Sequence, residues 1–584
     1  MAPFSFEGRN MDTYPEAQLN FIDVTALGDS QVMTTAANPM SNTSLFRDNI
    51  RQQCYGTMEL NQLILDGSRS ILPDGHPDDI PYWSEEKSDA NGDYIINPTL
   101  EIFFTEPHSS IGLNLYFSED IPAKIQITWY SLYGTSLDTA VFYPDSNVYF
   151  CKRQVRNYGR IVITIMRSTY PYRYVKMDYV EYGQMWTLGR DSIKAASVYE
   201  EVDCTGATLS INTAQMEIVD EENEFDFGNQ EGLWNYLQKE QTIAITEYVN
   251  AEPVDCGTFY LSDWDVQKNI VKLSMIDLIG LMDKTQYYGG TIYEKAKAGE
   301  IISEIMESCG IRKYSIAEEI YHMELTGWIG IMSHRAALQQ VVFACNAVAD
   351  CSRGDWVRIY RPDRYVSHTI GLDRKFQGTK VAVDEYVSSV AVTYSNYILS
   401  DEVKEIVKSV LPAGRTRIEF SDPYLVDSLE VSIGTILEAK TNYVLLYMDE
   451  EGECSLSGRK YEAVENTYTA NVEQSEAGEN ANTKAYKGCT MMDAIQAREV
   501  ATRVLDYYQI RQTVEVRYLN DGEAVGNWCD IAMIGGGYAT TNIINQTIDL
   551  AGGNIATAVC RGYSRTVTSY NFAGEIYAGE DGVI

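Results

Sequence analysis

Residues 125–130, Ile125-Gln126-Ile127-Thr128-Trp129-Tyr130, alternate apolar and polar side chains without a break. Successive side chains of a strand point to opposite faces, so this spelling predicts a β-strand with one face buried and the other wet. The pattern recurs on both sides. Leu100, Ile102 and Phe104 alternate upstream. Ile161, Ile163 and Ile165 follow downstream, then Val175, Met177 and Tyr179 opposite Lys176 and Asp178. Turn residues separate these runs every eight to fifteen positions. Residues 83–187 therefore predict a β-sandwich of jelly-roll type.

Outward from this segment the chain divides by composition. Residues 1–82 read as an N-terminal arm with short elements. Residues 188–290 are again mostly β, with strands expected at 207–211, 243–248 and 257–261. Residues 291–365 carry the clearest helices: Ile301, Ile302, Ile305 and Met306 form one face ended by Gly310, and Ser333 is placed to cap a helix running through Ala349. Residues 366–488 return to β, with a strand at 443–448, a hairpin turn at Asp449-Glu-Glu-Gly452 and a polar loop at 471–488. Residues 489–584 open on Thr490-Met-Met-Asp493, which reads as a capping box for a helix ending near Arg511, and continue as short strands with a C-terminal tail. The expected class is mainly β with α+β portions.

The 584 residues carry 83 acids against 46 bases, a formal charge of −37. A protein that coats nucleic acid, or docks on an anionic membrane, needs a basic footprint that this composition excludes. Tyrosine is abundant, 42 against 16 Phe and 8 Trp, which suits strands and wide polar-apolar contacts. Eleven cysteines stand singly with no CxxC pair, as expected of reduced, buried thiols folded in a reducing cytosol. No basic-then-apolar leader opens the chain, and no run approaches the ~20 apolar residues of a membrane span. The charge is uneven. Residues 191–300 hold 21 acids and 7 bases, whereas residues 83–190 hold 12 and 10.

Motifs for chemistry are sparse. No Walker A, HExxH, GxSxG or GxGxxG spacing occurs, and Gly535-Gly536-Gly537 reads as a turn. Asp89-Ala-Asn-Gly-Asp93 has part of a calcium-loop spelling, but Lys87 and Pro98 occupy positions where ligands would be needed, so a turn is expected. His322 and His334 could pair with Cys345 or Cys351, but cysteines in an Ala/Val-rich helix belong to a core. No catalytic, cofactor or metal residue is assigned. Aromatic residues of the sandwich, Trp129, Tyr130, Tyr133, Tyr143 and Tyr172, are candidates for glycan or protein contacts. The acids Asp220, Glu221, Glu222, Glu224 and Asp226, with Glu217 just before them, could form a metal site, a repulsive surface or a solvated acidic loop, and without a histidine the metal reading is weak.

Two stretches carry a resemblance. Phe225-Asp-Phe-Gly-Asn-Gln-Glu-Gly-Leu-Trp-Asn-Tyr-Leu-Gln238, followed by Gly257-Thr-Phe-Tyr-Leu-Ser-Asp-Trp264 and Ile270-Val-Lys-Leu-Ser-Met-Ile-Asp277, resembles the first β-domain of phage tail hub proteins. The helix expected at 491–511, with Val514-Glu-Val-Arg517, Gly526-Asn-Trp-Cys-Asp-Ile531, Ile543–Gly553 and Ala556–Gly562, is similar to the closing β-barrel of such hubs, although Asn527 stands where the family turn has Asp. The sandwich resembles a discoidin-like, galactose-binding-type module through Ser110–Phe117, Ile125–Tyr130 and Tyr172–Lys176. The resemblance implies hub-type β-barrels at 188–290 and 489–584 around a small helical domain. It also implies a homotrimer that adapts a sixfold tail tube to a threefold tip. The implied partners are the distal tail or tube ring, the tape measure protein, receptor-binding proteins and a host-surface glycan, with genome DNA only in passage. The location would be the virion tail tip or baseplate, after folding in the host cytoplasm. The six acids of 217–226 would then line a lumen that repels DNA phosphates. Two alternatives stay open: a carbohydrate-binding or carbohydrate-active protein, and the hub of a contractile injection device.

Overall fold

In the computed structural model the described residues are 12–565, apart from 35–36, 39–40, 48–54, 58, 64–68, 72–80, 119, 184, 222, 227, 230–231, 473–481 and 535. The chain is mainly β and falls into two units, one built from residues 18–187 and one from residues 1–17 and 188–584.

The 18–187 unit is organised on two long strands, Thr99–Phe117 and Val148–Ser168. They pair antiparallel, but the register breaks between Phe103 and Gly112. These breaks divide the pair. Its first half is flanked by Gln31–Met33, Pro122–Tyr130 and Ser136–Phe142, and its second half by Lys176–Glu181 and Tyr82–Trp83. Extra residues at a bulge bend a strand and raise its twist, which lets one seven-stranded sheet fold over a single core. The alternating residues enter that core together: Leu100, Ile102, Ile125, Ile127, Trp129, Ile161, Ile163, Ile165 and Met177 are buried in one cluster.

The opposite face of one strand is not wet as the alternation predicts. Lys176 and Asp178 are buried. The Lys176 ammonium donates to Glu59 Oε2 at 2.6 Å and lies 5.1 Å from the Trp83 ring centre, while Asp178 accepts from Ser118 at 2.7 Å. Glu59 also accepts the Tyr174 backbone N–H at 2.8 Å. Arg173 pairs with Asp120 beside them at 3.2 Å. Glu59, in the stretch expected as an N-terminal arm, is thus a buried carboxylate bonded to this strand.

The second unit is built on a large sheet. Part of its order runs Thr242–Val249, Glu252–Gln267, Ile270–Ile276, Thr213–Val219, Ile193–Glu201, Tyr538–Asp549, Ile555–Arg565, Gln512–Leu519, Lys380–Val383. Trp528–Ala532 branches from Tyr538–Asp549 and runs parallel to Val366–Ile370. The two β-regions expected as separate barrels therefore share one sheet, and among the described residues its pairing path has two ends rather than closing on itself. The join is the antiparallel pairing of Ser197–Glu201 with Asn545–Asp549.

Helices Ala298–Ser308, His334–Ala344 and Ala494–Tyr508 bury their apolar faces in one core with Val357, Val390 and Val392. The first ends before Gly310, at φ +76°. Ser333 caps the second, accepting Ala336 N–H at 3.2 Å, but this helix stops at Ala344, five residues earlier than expected, and Val348–Asp350 is a strand. The third is capped by Asp493 with Gln496 reciprocating, so the capping box starts at Asp493 and not at Thr490. The 207–211 stretch is irregular, and the strand lies at Thr213–Val219. Leu233–Tyr236 is a 3-10 turn.

Ser389–Leu411 and Gly452–Asn471 form a long antiparallel ribbon joined to a small β-cluster with its own core around Ile418, Val444, Leu446 and Leu456. The expected strand Tyr443–Met448 is present. It pairs with Gly414–Glu419 and Thr435–Ala439 and not across Asp449–Gly452, so that turn is not a hairpin. Within the expected loop 471–488, residues 483–489 form a strand parallel to Ser389–Tyr394.

Candidate functional site

The aromatic candidates do not converge. Trp129 has no exposed surface, because its place in the alternation puts it among Ile127, Ile161 and Ile163. A ring without an accessible face cannot stack on a sugar, and Trp129 is corrected to a core residue. Tyr130 is half-buried, with the Arg160 guanidinium 4.2 Å from its ring centre. Tyr133 stands on the tip of the Ser131–Thr135 turn and is 96% exposed. The tip is seated where Gly159 leaves room for Leu132: a Cβ there would lie 2.4 Å from Leu132 Cδ2. Tyr143, 64% exposed, follows the far end of Ser136–Phe142. Nine residues of strand and turn separate the two rings, so at about 3.3 Å per residue they lie roughly at opposite ends of the strand. Tyr172 is exposed beyond Ser168, which pairs with Pro122, and so belongs to the end that carries Tyr143.

The acid candidates also separate. Glu217 lies between Lys194 and Lys272, each 3.1 Å away on a neighbouring strand, and hydrogen bonds from both hold its carboxyl low. Asp220 is buried, and its two oxygens accept the Glu224 and Phe225 backbone N–H groups, both at 2.9 Å, closing a turn that buries Phe225. Asp226 is exposed and accepts Gly228 N–H at 2.6 Å. Glu221 is exposed and Glu224 half-buried. Glu222 lies outside the described residues. The six are not one free acidic cluster, because Asp220 is a turn-forming residue and Glu217 is neutralised across the sheet.

Cys345, Cys351 and His334 are buried packing residues. Cys345 is fully buried, and burial pushes its thiol up to about 12, out of reach of the thiolate a nucleophile needs. Cys351 is pushed further up by burial and by the carboxylate of Asp277. His334 is buried between the hydroxyls of Thr285 at 2.8 Å and Ser308 at 3.0 Å, and burial lowers its pKa. Asp89 accepts the N–H groups of Asn91 at 2.7 Å and Asp93 at 2.9 Å, a turn made by the calcium-like spelling. Among the described residues no group of three potential metal ligands is assembled.

Two features had no sequence signal. A cavity of about 570 Å³ lies between Val357–Tyr365 and the 524–528 turn, lined by Arg358, Tyr360, Arg361, Tyr365, Asn527 and Trp528. Arg358 is paired with Asp350 at 2.5 Å, and Arg361 donates to Cys345 O at 3.3 Å, so the cavity offers engaged guanidiniums and the exposed ring of Tyr365. Gly526 shapes its edge at φ +81°, where a Cβ would approach the Tyr360 hydroxyl to 3.0 Å. Asn527 accepts Ala524 N–H at 3.0 Å and closes the turn before the paired strands Trp528–Ala532 and Tyr538–Asp549. The second feature is a buried polar network at the sheet join. Arg353 donates to Glu200 at 2.9 Å, Gln546 donates to Glu200 at 2.7 Å, and Tyr518 donates to Gln546 at 2.8 Å.

No family model matches the chain, and no curated protein matches it. Solved structures similar to it include a tail protein from Neisseria meningitidis MC58, at 8% identity and TM-score 0.39, over 65% of this chain and 94% of that one. A 43 kDa tail protein of prophage MuSo2 from Shewanella oneidensis matches at 11% identity and TM-score 0.36, over 65% and 95%. Prophage tail protein gp18 from Listeria monocytogenes EGD-e matches at 7% identity and TM-score 0.37, over 66% and 93%. At such values none of them assigns a role to a residue of this chain.

Proposed function

We propose that this chain is a structural, non-catalytic hub of a phage tail tip or baseplate, acting as a homotrimer. The observation that carries this reading is the shared sheet. The two stretches that resemble the first and the closing β-domains of hubs stand at distant places in the sequence, yet Ser197–Glu201 pairs directly with Asn545–Asp549. One chain thereby presents two joined β-modules, and three chains present six, the number a sixfold tube requires. The acid excess of residues 191–300 falls in the first of these modules. Glu221, Glu224 and Asp226 are its contribution to a lumen from which DNA is repelled. Tyr133 and Tyr143 supply separate contacts for neighbouring tail proteins or a host glycan. Mass photometry of the purified chain and of the assembled particle tests the reading. The expected species has three times the 65.8 kDa chain mass. A chain that is monomeric both alone and in the particle overturns it.

A further inference from the structure

His108 sits where the long strand pair loses its register, between Phe103 and Ser110, and is 7% exposed. Both its ring nitrogens face carboxylates. Nδ1 lies 3.0 Å from Asp23 Oδ2, and Nε2 lies 3.1 Å from Asp29 Oδ2. These two acids bracket one helix, Val24–Asp29: Asp23 is its N-cap, accepting Thr25 and Ala26 N–H at 3.0 Å, and Asp29 is its last residue. Asp29 also accepts the backbone N–H groups of Thr105 at 2.7 Å and Glu106 at 3.0 Å. The aromatic rings beside it are Phe104 and Tyr158, with ring centres 5.0 Å and 6.5 Å away. Among the described residues the titratable groups in contact with it are Asp23, Asp29 and Tyr158.

An ionised carboxylate only accepts, and a neutral imidazole has a single N–H. Burial works to raise the carboxyl of Asp29, but the bonds from Thr105, Glu106 and His108 outweigh it and hold it down at about 2; Asp23 is likewise held low against its burial by Thr25, Ala26 and His108. Neither acid can therefore supply the missing proton near neutral pH. Both contacts are hydrogen bonds only if the ring is an imidazolium.

We propose that His108 is a proton-operated clasp: as imidazolium it ties both ends of the Val24–Asp29 helix to the bulged strand, and loss of its proton breaks one of the two ties. The direction follows from the donors. The clasp is closed while both ring nitrogens carry a proton and opens when one of them is lost. An open clasp leaves a carboxylate facing a lone pair, and the helix, only six residues long, has little stability of its own.

Hydrogen exchange of residues 23–34 in the full chain, corrected for intrinsic rates, tests this between pH 5.5 and 8.5. Protection is expected to fall about tenfold across the range, the scale of one charge-assisted hydrogen bond. His108→Gln is expected to show the low protection at every pH. Asp23→Asn keeps one oxygen for the Thr25 and Ala26 N–H groups and lets the amide donate to a neutral ring, so its protection is expected to be the same at both ends of the range. Wild-type protection that does not change with pH, or an Asp23→Asn chain that keeps the full wild-type pH dependence, overturns the proposal.

Discussion

At the scale of single residues, Glu247 shows how burial becomes a pH dependence. It is 1% exposed, on the Thr242–Val249 strand. Burial pushes its carboxyl up to about 8; the Thr13 hydroxyl offsets part of this, and the Asp549 carboxylate adds to the rise. Between its ordinary value of 4.5 and about 8, the folded protein keeps a proton that the unfolded chain has given up. Stability therefore falls as pH rises through this window. Glu247→Gln keeps the neutral shape and removes the titration. It is expected to stabilise the protein by about 2 kcal/mol at pH 8.5, the usual penalty of an ill-matched buried polar group, and by little at pH 4.5. Urea unfolding at the two pH values checks this, and an equal effect at both would count against it.

At the scale of elements, caps and periodicity were legible and pairing was not. The alternation at 100–104, 125–129 and 161–165 gave the buried face because period-two burial is written locally. Ser333 as a cap was legible for the same reason. What a local pattern lacks is the partner. Lys176 stood on the expected wet face, and its carboxylate, Glu59, lies 117 positions away. Asp449–Gly452 looked like a hairpin because turn chemistry marks a reversal but not which strands pair across it. The scattered aromatic and acid candidates failed likewise: nearness in sequence placed Tyr133 and Tyr143 together, and strand geometry parted them. The Ala494–Tyr508 helix offers a test at this scale. Asp493 accepts from Ile495 at 2.7 Å and Gln496 at 3.1 Å, and its own N–H donates to the Gln496 side chain at 2.8 Å. Asp493→Ala is expected to cost about 1 kcal/mol, read as a lower urea midpoint with unchanged slope, and Asp493→Ser to recover most of it.

At the scale of the whole molecule, the shared sheet makes the second unit depend on both of its sequence ends. A chain ending at Arg511 would lack every strand that pairs with Ile193–Glu201 on one side. An unpaired apolar edge is a template for other chains, so this truncation is expected to self-associate without fixed stoichiometry in light scattering. A monodisperse product would show that the edge is protected by other means. The same join has a consequence in time. Glu200 and Gln546 are hydrogen-bonded across 346 positions. At about 5–20 residues per second, a ribosome needs roughly 20–70 s to supply the partner after the first strand emerges. Through that interval the nascent chain carries an open seam, and its many long-range pairings favour slow closure. Production of this protein is thus governed as much by what guards the seam during synthesis as by the stability of the finished fold.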